Sequence, residues 1–259
     1  MAERTVMDHF RLDGRVAIVT GGSKGLGKQM ALAFAQAGAA TVVCSRHLAE
    51  AEAAAKEIAD ATGQTSMGRQ VDVTVSDEVE GMVAETVKEY GRLDVMVNNA
   101  GINVRHPIED FPEQEFDDLM EINCKGVWLG CRAAARVMKP AGRGSVINTS
   151  SVLSTVGLGE RSAYSTSKAS LIGMTRTLAV EWAPSGVRCN ALCPGPFLTE
   201  INKPLEGKPE VVKGLLSLNA MNRWAELHEI QGAALFLASD ASTFVTGASL
   251  YVDGGWAAK

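Results

Sequence analysis

Short runs rich in β-branched residues alternate with helix-length segments along the whole chain: RVAIVT (15–20), TVVCS (41–45), SMGRQVDV (66–73), DVMVNNA (94–100), GSVINTS (144–150), VRCNALC (187–193) and ASLYVDG (248–254). Strands joined by segments long enough to cross back over a sheet lie parallel, and a parallel sheet needs helices on both faces. The expectation is an α/β fold with a doubly wound parallel sheet of seven strands. LAEAEAAAKEIADA (48–61), SDEVEGMVAETVKEY (76–90), with Ser76 as its cap, and EFDDLMEINCKGVWLGCRAAARVM (115–138) read as covering helices. Gly91, Gly142 and Gly144, with Pro140, mark helix ends.

No composition shift, linker or repeat divides the chain, so 1–259 reads as one domain with 1–13 as an N-terminal extension. The irregular stretch 193–224, between the sixth strand and a helix expected at 226–238, is a candidate substrate lid. A net charge of −5 gives no basic footprint for nucleic acid. No apolar run reaches the roughly 18 residues of a membrane span, and the N-terminus lacks a signal-peptide core. The five cysteines are odd in number and lack CxxC spacing, which suits a reducing compartment and suggests a cytoplasmic protein. None of the four histidines has metal-binding spacing, so no metal is expected. The acidic run 109–121 reads as a solvated helix start.

After the first strand comes TGGSKGLGKQMALAFAQAG, where Gly21, Gly25 and Gly27 leave backbone amides open to a pyrophosphate at a helix N-terminus. The spacing differs from the generic G-x-G-x-x-G of the Rossmann dinucleotide fold, but its place between strand and helix is the same. At the end of the second strand, where an NAD site usually has a carboxylate, this chain has Ser45 and Arg46. Arg46 with Lys24 would suit the 2′-phosphate of NADP; alternatively Arg46 pairs with Glu50 one helical turn later. NADP(H) is the expected cofactor, with NAD(H) left open.

SAYSTSKAS sets Tyr164 and Lys168 four residues apart, on one side of a helix. An unperturbed phenol titrates near about 10, so a neighbouring cation would bring it towards a working range for proton transfer.

Together TGGSKGLG (20–27), Asp72 in VDV, NNAG (98–101), Asn123 in EINCKG, Ser150 and Ser151 in INTSSV, Tyr164-x-x-x-Lys168 and Pro194-Gly195 resemble the short-chain dehydrogenase/reductase family over nearly the whole chain. The resemblance implies that Ser151, with Ser150 the alternative, hydrogen-bonds the substrate oxygen and that Tyr164 is the acid/base. Lys168 would hold the nicotinamide ribose and lower the tyrosine pKa, and Asn123 would anchor a water. It also implies cofactor contacts from Gly21, Ser23, Lys24, Gly25, Leu26, Gly27, Ser45, Arg46, Asp72, Val73, Asn99, Ala100, Gly101, Tyr164, Lys168, Pro194 and Gly195. Asp72 would meet the adenine edge, although a capping carboxylate fits the residue equally well. The family usually forms a homotetramer, and the terminal VDGG (252–255) would supply a sheet edge and a subunit contact.

GINVRHP (101–107) brings Asn103, Arg105 and His106 towards the expected pocket. That mouth resembles members acting on sugar acids and polyols, gluconate 5-dehydrogenases among them, while the same scaffold serves 3-oxoacyl-carrier-protein reductases. The small-molecule substrate would be a secondary alcohol or ketone. A non-catalytic nucleotide-binding regulator or a methyltransferase could use the glycine loop, but neither needs Asn123, Ser151, Tyr164 and Lys168 together.

Overall fold

The alternation of apolar side chains along the strands sorts them into two cores. In the computed structural model, which describes residues 5–199, 207 and 209–259, Ala17 and Val19 point to one face of the sheet and Ile18 to the other. The strands are Val16–Thr20 (β1), Ala40–Ser45 (β2), Ser66–Gln70 (β3), Val95–Asn98 (β4), Gly144–Thr149 (β5), Val187–Pro194 (β6) and Ser249–Val252 (β7). They form a seven-stranded sheet in the order β3-β2-β1-β4-β5-β6-β7, with every adjacent pair parallel.

The helices are Gly25–Gln36 (α1), Leu48–Thr62 (α2), Ser76–Tyr90 (α3), Glu113–Met120 (α4), Gly126–Ala141 (α5), Ser162–Trp182 (α6), Pro209–Leu216 (α7) and Gln231–Ala238 (α8). Met30 and Phe34 of α1, Ile58 of α2 and Leu237 of α8 fill the core on one face. Met82 of α3, Met138 of α5, and Leu171 and Trp182 of α6 fill the other. The N-terminal extension is tied in as well, because Leu12 is fully buried in the first core and its N–H donates to Ala37 O at 2.7 Å.

Several local expectations are corrected. The third strand ends at Gln70 rather than 73, because Asp72 Oδ1 accepts from the N–H (2.9 Å) and hydroxyl (2.7 Å) of Thr74 and turns the chain. The cap position of α3 is Val75; Ser76 Oγ instead accepts from Arg132 Nη2 at 2.7 Å. Gly91 and Gly142 do end helices, at φ of +75° and +68°, whereas Gly144 opens β5. The long helix 115–138 is broken into α4 and α5 by a π-helical turn over Glu121–Lys125. The late helix opens with a 3-10 turn, Leu227–Ile230, capped reciprocally by Glu226 and Glu229. Of the expected lid, residues 193–199, 207 and 209–224 are described and include α7; 200–206 and 208 lie outside the described residues.

Candidate active site

From β1 the sheet continues in opposite directions, to β2 on one side and β4 on the other. Loops leaving the carboxyl ends of these strands diverge there, which is where open α/β sheets form a binding crevice. A cleft of about 410 Å³ lies at that edge.

Its first wall is the glycine loop. Thr20 Oγ1 accepts from the N–H of Asn99 (3.0 Å) and of Ala100 (3.2 Å). Asn99 Nδ2 returns bonds to the carbonyls of Thr20 (3.0 Å) and Gly21 (3.1 Å), so the loops after β1 and β4 are clamped together. Gly21 holds φ +61° and Gly25 φ +56°, and a Cβ on Gly27 would come within 2.2 Å of Gly21 O. Only glycine fits these positions, which leaves the start of α1 uncovered. This cradle fits the pyrophosphate of a nicotinamide dinucleotide. Gly21, Ser23, Lys24, Gly25, Leu26 and Gly27 all line the cleft, as do Asn99, Ala100 and Gly101.

Ser45 and Arg46 at the end of β2 line it too, and so do Asp72 and Val73. No ion pair joins Arg46 to Glu50 among the described residues. Glu50 Oε2 accepts instead from the hydroxyls of Ser45 (3.3 Å) and Ser23 (3.4 Å). A carboxylate therefore stands beside the position expected to be wholly basic. The Thr74 bonds hold the Asp72 carboxyl below its ordinary range, with the Arg46 charge adding to the effect. Its side chain thus makes the capping contact that was the second reading of this residue.

The loop after β5 carries the two serines. Ser150 Oγ donates to Lys168 O at 2.8 Å, so its hydroxyl is engaged in holding α6. Ser151 lines the cleft with Tyr164, and its Oγ accepts from Leu153 N–H at 3.1 Å. One turn along α6, buried Lys168 donates from Nζ to Thr149 O at 2.8 Å and lies 5.8 Å from the centre of the Tyr164 ring. Burial brings the Lys168 pKa down to about 8. Burial pushes the Tyr164 phenol up, and the Ser151 hydroxyl and the Arg161 charge oppose it. Arg161 is thus a second cation near the tyrosine, beside the lysine that the sequence suggested.

Asn123 sits behind this group, fully buried in the π-helical turn. Its amide accepts from Ile102 N–H (2.9 Å), donates to Ile102 O (2.9 Å) and reaches Ser167 Oγ (3.1 Å). It does not line the cleft. Pro194 and Gly195 do, and a Cβ on Gly195 would come 2.6 Å from Asp253 Cα. At the open end Asn103 and Arg105 line the cleft, with Asn103 Oδ1 shielded and without a hydrogen-bond partner. His106 turns away to Glu115 (3.0 Å) and the edge of Phe111 (5.2 Å).

Among the lining or supporting residues, Thr20 and Arg161 had been given no role of their own, and Glu50 had been expected only as a partner for Arg46. Spacing offered a signal for the last two, since Glu50 lies one turn after Arg46 and Arg161 three residues before Tyr164.

A family model described as enoyl-(acyl carrier protein) reductase matches residues 21–257. Gluconate 5-dehydrogenase of Gluconobacter oxydans is 38% identical over 248 residues, covering 96% of both chains. NAD-dependent glycerol dehydrogenase of Listeria innocua is 36% identical over 254 residues, covering 96% of each. The crystal structure of a gluconate 5-dehydrogenase from Burkholderia cenocepacia in complex with NADP and tartrate superposes with a TM-score of 0.95 at 36% identity, covering 98% of this chain and 100% of that one. On its fold, its glycine cradle and these relatives, the chain belongs to the short-chain dehydrogenase/reductase family.

Proposed function

We propose that this oxidoreductase prefers NADP(H) to NAD(H) and interconverts a secondary alcohol and a ketone on a sugar acid or polyol. The observation that carries the reading is the gathering of Ser151, Tyr164 and Lys168 on one cleft with the glycine cradle, at the mouth that Asn103 and Arg105 line. The relatives named for gluconate and glycerol, and the neighbour holding NADP and tartrate, support that substrate class.

When bound, the nicotinamide supplies the hydride donor or acceptor. Ser151 donates to the substrate oxygen, where charge develops. Tyr164 gives or takes the proton at that oxygen. Lys168, fixed by Thr149 O beneath the ring, is assigned to the nicotinamide ribose. Asn123 acts as a positioning residue, holding the Ile102 backbone and the start of the loop that carries Asn103 and Arg105. Lys24 and Arg46 are assigned to the 2′-phosphate, and Gly21, Ser23, Gly25, Leu26, Gly27, Ser45, Asp72, Val73, Asn99, Ala100, Gly101, Pro194 and Gly195 to the rest of the dinucleotide.

We infer further a single domain over 1–259, with 193–224 as lid; Thr199 and Leu215 on the cleft wall support the lid. The protein would work as a cytoplasmic homotetramer. Exposed Phe116, Trp128 and Val180, on α4, α5 and α6, offer apolar surface for association, and the thiols of Cys44, Cys131, Cys189 and Cys193 are unpaired and buried.

Tyr164→Phe keeps the ring and removes the transferable proton, so turnover of D-gluconate or sorbitol should fall by at least about a thousandfold. NADPH binding, followed by fluorescence, should persist. Near-wild-type turnover in this variant would end the mechanism.

A further inference from the structure

The open end of the cleft holds a second arginine that the reaction does not require. Arg161 occupies the N-cap position of α6, three residues before Tyr164, and its guanidinium is nearly enclosed, with 10% of the side chain exposed. It lines the same cleft as Arg105. One donor, Nη1, is used by Glu160 O at 3.1 Å, and the Glu160 carboxylate is a loose 3.9 Å away and mostly in solvent. Nε and Nη2 have no hydrogen-bond partner among the described residues. A guanidinium carries five N–H donors in a planar fork suited to a carboxylate, and burying one without a close anion is costly.

The backbone enforces this placement. Glu160 holds φ +61°, a left-handed conformation that is strained for a residue with a Cβ. That kink turns the chain into α6 with Arg161 inward. Burial and the Arg105 charge both depress the Arg161 pKa, against the Glu160 and Tyr164 charges that raise it. An anion at the unused donors of Arg161 would offset its burial.

We propose that Arg161 and Arg105 together form a carboxylate-binding site, and that the substrate is an aldonate-type hydroxy acid whose carboxylate displaces Glu160 as the counter-charge of Arg161. This rests on the oxidoreductase reading above and adds to it a second arm and a charge requirement. The substrate hydroxyl next to be oxidised then lies towards Tyr164, on the same face of α6 as Arg161.

The test is steady-state kinetics of the full chain with NADP on C4–C6 aldonates and the matching neutral alditols. Arg161→Gln should raise KM for the aldonates about ten- to a hundredfold relative to the alditols, the size of a lost charge-assisted hydrogen bond. Arg161→Lys should recover part of the loss, and Glu160→Gln, which removes the competing carboxylate, should lower the aldonate KM. Equal changes for charged and neutral substrates would overturn the proposal, as would wild-type turnover of alditols without aldonates. An unaltered aldonate preference in Glu160→Gln would overturn the displacement step, even should Arg161→Gln fail to fold. The wider reading is judged separately by Tyr164→Phe: if that variant stays active, the reaction assignment fails, whatever Arg161 does.

Discussion

The Glu50 carboxylate, held by the hydroxyls of Ser23 and Ser45, sets a condition on cofactor choice. It can accept from a ribose 2′-hydroxyl, as NAD would offer, and it repels a 2′-phosphate that Arg46 and Lys24 attract. Two unit charges about 4 Å apart in a water-like medium interact by about 1 kcal/mol, which corresponds to about a fivefold preference. Glu50→Gln should therefore raise the NADP:NAD ratio of kcat/KM by about fivefold or more, and Ser45→Asp with Arg46→Leu should reverse the wild-type preference. A Glu50→Gln ratio equal to wild type would mean that the carboxylate faces solvent when cofactor binds. The places of Ser151, Tyr164 and Lys168 on the cleft were legible in the sequence because a compact chain pattern carries them. Glu50 was read only as a partner for Arg46, and Arg161 was not read at all. Their orientations are set by Ser23, arriving from another loop, and by a backbone kink at Glu160, neither of which periodicity encodes.

Among the elements, the π-helical turn at Glu121–Lys125 has the most specific task. Its extra residue rotates Asn123 inward, where one amide meets both backbone groups of Ile102 and the hydroxyl of Ser167. Asn123→Ala would remove the partner of the half-buried Ile102 N–H and C=O, at a cost of up to about 1–3 kcal/mol each. For a chain of this size that lowers Tm by roughly 2–4 °C per kcal/mol, and KM should rise because the loop bearing Asn103 and Arg105 loses its tether. An unchanged Tm by calorimetry would reduce the turn to a variation in helix winding. The strands were foreseen to within a few residues because β-branched runs bounded by turn residues are a strong local signal. The π-helical turn and the early end of β3 at Gln70 were not foreseen, since both depend on side-chain bonds to backbone, at Asn123 and Asp72.

At the scale of the molecule, burial of Lys168 makes stability depend on pH. Its pKa falls from an ordinary 10.5 to about 8 on folding, so between those values the unfolded chain carries a proton that the folded chain lacks. Stability then rises with pH across that window. The buried thiols oppose this at higher pH: with Cys44 raised to about 12 and Cys193 to about 11, the folded state keeps protons that the unfolded state has lost. Comparing the cofactor-free protein with Lys168→Met cancels the Cys44 contribution and leaves only the part of the Cys193 shift that the lysine charge causes, and urea titrations from pH 8 to 10.5 should show the difference moving in favour of the wild type. A flat difference would place Lys168 in water. Light scattering at micromolar concentration should return the mass of a tetramer, and a monomer mass would refute the assembly. The doubly wound sheet also divides the chain's labour by sequence position. Every group assigned to cofactor charge, Lys24, Ser45, Arg46 and Glu50, precedes the exposed, left-handed Gly91, while Ser151, Arg161, Tyr164 and Lys168 follow it. The two halves meet through the β1–β4 ladder and through polar bonds that include Asn99 N–H to Thr20 Oγ1, Val16 N–H to Asp94, Arg132 to Ser76 and Glu80, and Arg15 to Asp240. A crossover at Gly91 would therefore join the coenzyme taste of one parent to the chemistry of another only where both sides of each of these pairs are kept.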